Sequence, residues 1–340
     1  MYLSTLILQN FRNYKKKVFN FGEKTTVLSG DNSVGKSNIL EAIFLLATGT
    51  SFRADRDEEM ILYGQEFGRV KGKMKDKELT VFLAKPKRFF INDVAKRKMD
   101  FVGNLLCVLF RPEDIDLVLG SPSLRRQYWD SVLGQVDREY RRCNLSYHKG
   151  LRQRNKLLEK IRDGEAERKQ LLFWDNLLIK NGEIITQKRE EFLEFVNRGL
   201  KGNRAIGQRL EYDYSRISPA RLEQYADNEV WAGKTLVGPH RDDFKFIVQR
   251  KNKAAKDLSI YGSRGEQRMA VLAVKLKEFE FIEVKTGERP VLLLDDIFSE
   301  LDHENREEVF KLLEKQQTIM TTADEHLIPK KLKSLDIIRL

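Results

Sequence analysis

The stretch Gly30-Asp-Asn-Ser-Val-Gly35-Lys36-Ser37 decides how the rest of the chain is interpreted. It matches in full the phosphate-binding pattern of glycine, any four residues, glycine, lysine and serine or threonine. In that pattern the glycines let backbone N–H groups turn toward phosphate oxygens, the lysine reaches the β- and γ-phosphates, and the hydroxyl binds Mg²⁺. The stretch therefore predicts a nucleoside triphosphate site, with Lys36 as a catalytic residue and Ser37 as a metal ligand.

The residues on either side have the order strand, loop, helix that a phosphate loop requires. Thr25–Ser29 is strand-like, and residues 38–47 have apolar side chains at helical spacing. This context disfavours a glycine-rich turn without a ligand, because a helix N-terminus favours phosphate. The predicted nucleotide contacts from this region are Gly30, Asp31, Asn32, Ser33, Val34, Gly35, Lys36, Ser37 and Asn38.

A second motif, the acidic stretch Val291-Leu-Leu-Leu-Asp295-Asp296, complements the phosphate loop. An apolar strand that ends in a carboxylate places it at the edge of the sheet where α/β folds bind nucleotides. We expect Asp295 to hold Mg²⁺ and Asp296 to orient or deprotonate the attacking water, as a catalytic residue. The two motifs together predict ATP and Mg²⁺ as cofactors.

Two further segments are typical of the ABC class of ATPases. Ser263-Arg-Gly-Glu-Gln267 precedes a helical run and resembles the ABC signature, and Ser299-Glu-Leu-Asp302 follows the acidic pair at the spacing of a D-loop. Ser263 and Glu266 also fit a helix capping box, and both functions are compatible. The nucleotide contacts predicted here are Ser263, Gly265, Glu266, Gln267 and Asp302.

The bulk composition describes a charge-rich globular chain. Of the 340 residues, 41% are hydrophobic and 33% are charged, which disfavours disorder. The two cysteines, Cys107 and Cys143, form no CxxC pair, and the four histidines form no zinc pattern. The N-terminal residues lack the features of a signal peptide and no apolar run is long enough to cross a bilayer, so we expect a cytoplasmic protein.

From about residue 121 the pattern changes to long amphipathic helices, interrupted at Gly164. Neither helical run keeps heptads long enough for a coiled-coil arm. We therefore predict an α/β fold: an ABC-type P-loop ATPase head with a compact helical lobe inserted between the Walker A and signature motifs. The predicted head comprises residues 1–120 and 235–340, and the predicted basic lobe comprises residues 121–234.

The positive charge is concentrated in this lobe. The chain has a net charge of +11, and residues 121–210 alone contain 20 Lys/Arg against 12 Asp/Glu. A solvated helical surface is the simpler interpretation, but a basic pole on a nucleotide-binding protein favours a polyanion partner. The predicted DNA contacts are Arg138, Arg142, Lys149, Arg152 and Lys156.

The order of the motifs resembles the RecF family, in the SMC-like branch of the ABC-type ATPases. The resemblance includes Asn10-Phe-Arg-Asn-Tyr14, the phosphate loop, Gly238-Pro-His-Arg-Asp-Asp243, the signature, and the acidic pair with the D-loop. Gly49-Thr-Ser-Phe-Arg53 and Phe110-Arg-Pro-Glu-Asp114 also resemble segments of that family. The resemblance to this family implies a homodimer that forms when ATP binds. This dimer would bind single-stranded and double-stranded DNA at junctions or gaps and help to load recombinase, with RecR and RecO as partners.

The resemblance also implies roles for individual residues. Arg12 and Asn13 are expected near the base and phosphates of ATP. The turn 110–114 stands where ABC proteins have the Q-loop, although it contains no glutamine, and Asp296 stands where they usually have glutamate. Thr321 or Thr322 replaces the switch histidine. These departures imply slow hydrolysis, with ATP acting chiefly as a timed clamp. The resemblance to the family implies a weak ATPase that DNA stimulates.

Other functions remain open at this point. An ATPase subunit of an ABC transporter and another SMC-like chromosome protein share most of the motifs, although the basic lobe and the missing Q-loop and switch histidine disfavour the transporter. A small-molecule P-loop kinase is disfavoured by the signature and the D-loop. His240 either contacts phosphate or DNA, or caps the turn after Pro239.

Overall fold

The computed structural model describes residues 1–200, 207–249, 254–299, 309, 313, 315–324, 326 and 335–340. It divides into two compact units. The first contains Met1–Asp114 and Glu278–Leu340, and the second contains Ile115–Lys277. Among the described helices, none combines the length and apolar character needed to cross a membrane.

The strands are β1 (Leu3–Phe11), β2 (Tyr14–Asn20), β3 (Thr25–Ser29), β4 (Gly68–Met74), β5 (Glu78–Leu83), β6 (Arg88–Ile91), β7 (Val94–Lys96), β8 (Cys107–Phe110), β9 (Gly207–Asp213), β10 (Asp243–Gln249), β11 (Lys256–Asp257), β12 (Val291–Asp295), β13 (Thr318–Thr322) and β14 (Leu335–Arg339). The helices are α1 (Lys36–Thr48), α2 (Lys98–Phe101), α3 (Asp116–Leu119), α4 (Pro122–Val136), α5 (Arg138–Arg162), α6 (Leu172–Leu200), α7 (Pro219–Gln224), α8 (Ala226–Ala232), α9 (Leu258–Tyr261) and α10 (Arg264–Thr286). Short 3-10 turns lie at Asp57–Met60, Pro112–Ile115, Arg168–Leu171, Pro239–Arg241 and Ile297–Ser299.

The first unit packs helix α1 against two sheets. One sheet is antiparallel with the order β2-β1-β4-β5-β6-β7, and the other is parallel with the order β14-β3-β13-β12-β8. Helix α1 contacts strands of both sheets. Its apolar side chains share one core with both of them, and this core includes Leu3, Leu6, Leu8, Leu28, Ile39, Ile43, Leu46, Val70, Val81, Leu293 and Ile319.

The parallel sheet determines where the two phosphate-binding motifs lie. Every residue of β3 is buried, as are the four apolar residues of β12, which fits strands in the centre of a covered parallel sheet. Because β13 pairs with both of them, the carboxyl ends of β3 and β12 are separated by one strand. The phosphate loop and the acidic pair therefore leave the sheet at the same edge.

The second unit is built on α4, α5 and α6 with the three-stranded sheet β11-β10-β9. Helices α5 and α6 pack closely: a Cβ added to Gly150 would lie 2.5 Å from a methyl group of Leu177. With 25 and 29 residues, these helices are about 37 and 43 Å long, and Gly164, with φ 78°, lies in the turn between them. The helices form a compact lobe, as predicted.

The compact units differ in extent from the predicted domains, because residues 115–120 and 235–277 belong to the second unit. Ion pairs with the helices explain this for the segment around Asp243. Arg125 of α4 binds both carboxylate oxygens of Asp243, at 2.5 and 2.9 Å, and Arg189 of α6 donates to the Pro239 carbonyl at 2.7 Å. The predicted boundaries of the head and of the basic lobe stay a prediction.

Residues 234–238, Lys-Thr-Leu-Val-Gly, have a strand-like sequence but do not form a strand. Side chains bind their backbone instead of a neighbouring strand. The amide of Thr235 donates to Asn155 at 2.9 Å, and that of Leu236 donates to Glu229 at 2.7 Å. The apolar pattern of this stretch could not predict these partners, because Asn155 lies 80 residues away on α5 and Glu229 lies on α8.

A buried arginine organises the second unit. Arg189 is fully buried and its guanidinium group lies 3.2 Å from Asp130 and 3.3 Å from Asp242. It also lies over the Trp129 ring, 4.9 Å from the centroid. Burial alone would lower the pKa of Arg189, but the surrounding acidic groups raise it above its ordinary value, so the residue is charged.

We expect Arg189→Met to lower the free energy of unfolding by about 3–5 kcal/mol, because it leaves the carboxylates of Asp130 and Asp242 without their cation. Urea denaturation followed by circular dichroism measures this difference. Lys180→Met is the matched control, because Lys180 is an exposed residue of the same helix. Equal stability of the two variants would contradict the structural importance of this ion cluster.

Candidate nucleotide-binding site

The phosphate loop turns between β3 and α1 through left-handed backbone. Gly35 has φ 110° and Ser33 has φ 70°. A Cβ at Gly35 would also lie 2.6 Å from the Asn13 amide and 2.8 Å from the Tyr14 hydroxyl, so glycine is needed both for conformation and for space. Because Gly35 is the N-cap of α1, no side chain of that residue caps the first turn, which leaves the helix N-terminus open to an anion.

The Lys36 side chain lies inside the phosphate loop and binds its backbone. Its ammonium group donates to the carbonyls of Gly30 at 2.6 Å and Asp31 at 2.8 Å, and the residue is buried. These bonds hold the ammonium group within the loop, where the motif predicts phosphate. The positive charge of Lys36 and the open helix N-terminus both favour a polyanionic ligand at this place.

The two predicted metal ligands are in direct contact. The Ser37 hydroxyl donates to Oδ1 of Asp295 at 2.8 Å, and the Thr321 hydroxyl donates to the same oxygen at 2.8 Å. Residues from α1, β12 and β13 thus meet at one carboxylate. An aliphatic hydroxyl and a carboxylate oxygen are the hard ligands that Mg²⁺ takes, and its remaining positions are usually filled by phosphate and water.

Asp296, the predicted catalytic carboxylate, follows directly. Its backbone is left-handed with φ 48°, and its amide donates to the Thr321 hydroxyl at 2.9 Å. Non-glycine residues adopt this conformation rarely, although aspartate does so more readily than most, and such backbone is enriched at functional sites. Thr321 therefore ties Asp295 and Asp296 together at the end of the sheet, and the role of Thr321 or Thr322 in place of the switch histidine stays a prediction.

The turn between β1 and β2 is attached to the phosphate loop. The Asn13 amide donates to the Val34 carbonyl at 2.9 Å and accepts from Asn38 at 2.9 Å. The Tyr14 hydroxyl donates to the Gly35 carbonyl at 3.2 Å, and burial raises the pKa of Tyr14 to about 12. The structure thus brings the predicted residues Asn13 and Asn38 to the loop.

Arg12 is held beside the loop by a residue that the sequence analysis missed. Glu41 is fully buried on α1 and accepts two hydrogen bonds from the Arg12 guanidinium group, at 2.7 and 2.5 Å. Ser51 donates a third at 2.5 Å, and Arg12 itself has φ 52°. The signal for Glu41 was its position as a single carboxylate within the apolar run of α1, because a buried charge requires a partner.

The turn after β8, at the place of the Q-loop, is closed by its own side chains. Arg111 donates its backbone N–H to Asp114 at 3.0 Å, and its guanidinium group lies 4.7 Å from the centroid of the Phe52 ring. The resemblance to the Q-loop is therefore one of position, since this turn contains no glutamine.

The signature-like segment lies in the second unit and forms the predicted capping box. The Glu266 amide donates to the Ser263 hydroxyl at 3.2 Å, and the Ser263 amide donates to the Glu266 carboxylate at 2.8 Å. Ser263 and Gly265 are exposed, and a Cβ on Gly265 would meet nothing within 4 Å. The chain's own packing therefore does not require glycine there.

Other predicted contacts are placed less favourably. The Gln267 side chain is buried and donates to the carbonyls of Leu258 at 3.1 Å and Gly262 at 3.3 Å, so its observed contacts are structural and its contact with nucleotide stays a prediction. Asp302 lies outside the described residues. Within the described part of the chain, no three acidic, histidine or cysteine side chains form a metal cluster.

The five predicted DNA contacts lie on one face of α5. Arg138, Arg142, Lys149, Arg152 and Lys156 are all exposed. At 100° per residue they fall within about 80° of arc along about 27 Å of helix. The opposite face of α5 is buried, with Tyr140, Tyr147 and Leu158 in the core. We call these five residues the basic stripe.

His240 has structural partners that account for its position. Its Nε2 lies 3.2 Å from the Thr235 carbonyl, which can only accept, so Nε2 carries the proton and Nδ1 accepts from the Tyr147 hydroxyl at 2.8 Å. Burial lowers the pKa of His240 to about 4, so the ring is neutral near pH 7. These contacts favour the turn-capping interpretation over a phosphate contact.

Comparison with known proteins agrees with the motifs. Residues 2–338 match the family model of the RecF/RecN/SMC N-terminal domain. The DNA replication and repair proteins RecF of Bacillus cytotoxicus and Bacillus thuringiensis are each 35% identical to the chain, with 99% of the chain and 97% of each relative covered.

Solved structures give the same result. A structure of the recombination mediator protein RecF with ATPrS in the RecFOR pathway superposes with a TM-score of 0.88 at 31% identity, covering 100% of this chain and 96% of that one. An Smc head bound to the C-winged helix domain of ScpA has a TM-score of 0.54 at 17% identity, over 96% and 91% of the two chains, which shows the fold alone and confirms the predicted ABC-type head. The chain belongs to the RecF family of DNA replication and repair proteins.

Proposed function

We propose that this chain is an ATP-dependent DNA-binding protein of recombinational repair that hydrolyses ATP slowly. In this proposal two chains close on ATP at single-strand/double-strand junctions or gaps and help to load recombinase. The observation that carries it is the contact of Ser37 with Asp295 beside the Lys36 loop, because it joins both halves of an ATP–Mg²⁺ site. Solved relatives are described as RecF with ATP in the RecFOR pathway.

In the proposed site, Lys36 and the N–H groups of residues 30–38 bind the phosphates. Ser37 and Asp295 would hold Mg²⁺, which neutralises charge on the phosphates when it is bound. Asn13 and Arg12 contribute from the neighbouring turn, where Asn13 is bound to the loop and Arg12 to Glu41. Bonds to Glu41 and to the Glu59 carbonyl fix the direction of the Arg12 guanidinium group.

Asp296 is the proposed general base or water-orienting residue. Its amide is fixed by Thr321, so its backbone position depends on the same hydroxyl that contacts Asp295. An aspartate reaches less far than the glutamate usual in ABC proteins, and threonine at residue 321 is a weaker proton acceptor than histidine. Both differences support slow turnover, in which ATP acts mainly as a timed clamp.

The proposed dimer places each ATP between the phosphate loop of one chain and the signature of the other. Ser263 and Gly265 are exposed, and open space surrounds Gly265, which supports this arrangement because the start of the 23-residue helix α10 can be approached beside its capping box. A helix N-terminus carries partial positive charge that favours the γ-phosphate of a partner's ATP.

The proposed duplex DNA site is the basic stripe of α5. A straight row of exposed cations about 27 Å long suits the phosphate backbone, where sequence-independent affinity arises. We propose action with RecO and RecR, which the RecFOR pathway named for a solved relative supports, and a cytoplasmic location.

We expect Asp296→Asn to keep ATP affinity within about twofold and to lower the ATP hydrolysis rate by about 100-fold or more, since only the water-orienting charge is lost. An ATP-stabilised dimer should then accumulate. Phosphate release measures turnover, and light scattering with ATP measures the mass. Asp93→Asn is the matched control, because it makes the same change at an exposed aspartate outside the site that also has left-handed backbone, with φ 60°. Normal hydrolysis by Asp296→Asn would place the catalytic carboxylate elsewhere.

Duplex DNA affinity should fall steeply with salt, and the triple change Arg142→Ala, Lys149→Ala and Lys156→Ala should flatten the log–log slope by about 0.9 per lost phosphate contact. Fluorescence anisotropy of a labelled duplex across a salt series measures this slope. Lys180→Ala, Lys234→Ala and Lys245→Ala remove the same charge from exposed positions outside the stripe and serve as the control. If the two triple variants have equal slopes, the duplex site does not lie on α5.

A further inference from the structure

The outer face of the antiparallel sheet in the first unit carries a row of cations and an aromatic ring. The strand register aligns Lys16 of β2 with Gln9 of β1, and Gln9 with Arg69 of β4. Arg69 is aligned in turn with Phe82 of β5, and Phe82 with Arg88 of β6. Directly paired residues share a face of a sheet, so these five side chains form one row across five strands.

The alternation along each strand shows that this face is turned away from the core. In the next row, Leu8, Val70, Val81 and Phe89 belong to the core around α1, while Lys17 of the edge strand β2 is exposed. The opposite row must therefore face solvent. Lys16, Arg69 and Arg88 are exposed, and Phe82 is half-buried.

The arginines are arranged around the phenylalanine ring. The guanidinium carbons of Arg69 and Arg88 lie 5.6 and 5.0 Å from the centroid of Phe82. The Phe67 ring is stacked on the same residue, with centroids 5.4 Å apart and planes inclined by 22°. We call Lys16, Phe67, Arg69, Phe82 and Arg88 the sheet platform.

The cations of the sheet platform carry uncompensated charge. On the same face, Lys71 and Lys73 lie 2.5 and 3.8 Å from Glu78, so their charge is partly neutralised. Within the ranges that the structure describes, Lys16, Arg69 and Arg88 form no ion pair. A monomeric domain gains little stability from such a row, whereas a polyanion gains three cations beside a π-surface.

We infer that the sheet platform binds single-stranded DNA, with phosphates on Lys16, Arg69 and Arg88 and bases against the Phe67–Phe82 pair and the guanidinium planes. Four strand spacings give the row a width of about 19 Å, enough for about three nucleotides. Flat surfaces that combine cations with aromatic rings bind unpaired bases, because the bases of a duplex are stacked on one another and unavailable.

This inference rests on the proposed DNA-binding function and assigns the single strand of a junction to a surface separate from the basic stripe. The two surfaces differ in chemistry. The stripe presents cations along one helix, on which Leu145 is also exposed. The sheet platform adds rings that can stack on bases, which a duplex backbone site does not need.

Anisotropy of a short fluorescein-labelled oligothymidylate, with the full chain across a salt series, tests the assignment. We expect Phe82→Leu to weaken binding about tenfold, since leucine keeps the apolar volume and loses the stacking surface. The double variant Arg69→Ala and Arg88→Ala should weaken it further and flatten the salt slope by about 0.7 per lost contact. Lys234→Ala with Lys245→Ala is the charge-matched control and should bind as the wild type does.

A labelled blunt duplex separates this inference from the proposed function. Variants of the sheet platform should bind the duplex with the affinity of the wild type, whereas variants of the basic stripe should bind it more weakly. If the double variant binds single-stranded DNA as tightly as its charge-matched control does, the sheet platform is not the single-strand site, even where duplex binding remains. Wild-type protein that binds neither probe would overturn the DNA-binding function itself. Unchanged far-ultraviolet circular dichroism and ATP affinity show that the variants are folded.

Discussion

The Oδ1 atom of Asp295 accepts hydrogen bonds from Ser37 and Thr321, and the nucleotide site depends on this shared acceptor. The three residues are far apart in sequence and meet because β13 pairs with both β3 and β12 in the parallel sheet. Apolar burial on α1 fixes this sheet against the helix that begins with Lys36. The core thus determines the distances on which phosphate and metal binding rely.

Buried polar groups supply the next level of organisation in each unit. In the first, Glu41 accepts from Arg12 and Ser51 within the apolar surroundings of α1, so the turn between β1 and β2 is held at the phosphate loop. In the second, Arg189 joins Asp130 and Asp242. Loss of Glu41 would leave Arg12 without its carboxylate, and loss of Arg189 would leave Asp130 and Asp242 without this cation, so each central charge favours the arrangement that keeps its partners in place.

The local motifs were predictable from the sequence, because the phosphate loop and the acidic strand have fixed spacing and strong apolar context. The long-range polar contacts were not predictable from the sequence. The pairing of Arg12 with Glu41 joins residues 29 positions apart, and Thr235 binds Asn155 from a strand-like stretch that forms no strand. The sheet platform also escaped prediction, since the alignment of Arg69, Phe82 and Arg88 arises only from the register of three strands.

Calorimetric titration of ATP with Mg²⁺ tests the nucleotide site most directly. The wild type should bind one ATP per chain, and Lys36→Ala should lower the affinity by about 100-fold, because it removes a buried charge-assisted contact to phosphate. Ser263→Arg is the control, since in the proposed dimer the signature contacts the partner's nucleotide and binding to the chain's own loop should persist. Equal ATP affinity of the wild type and Lys36→Ala would contradict the assignment of residues 30–38 as the phosphate site.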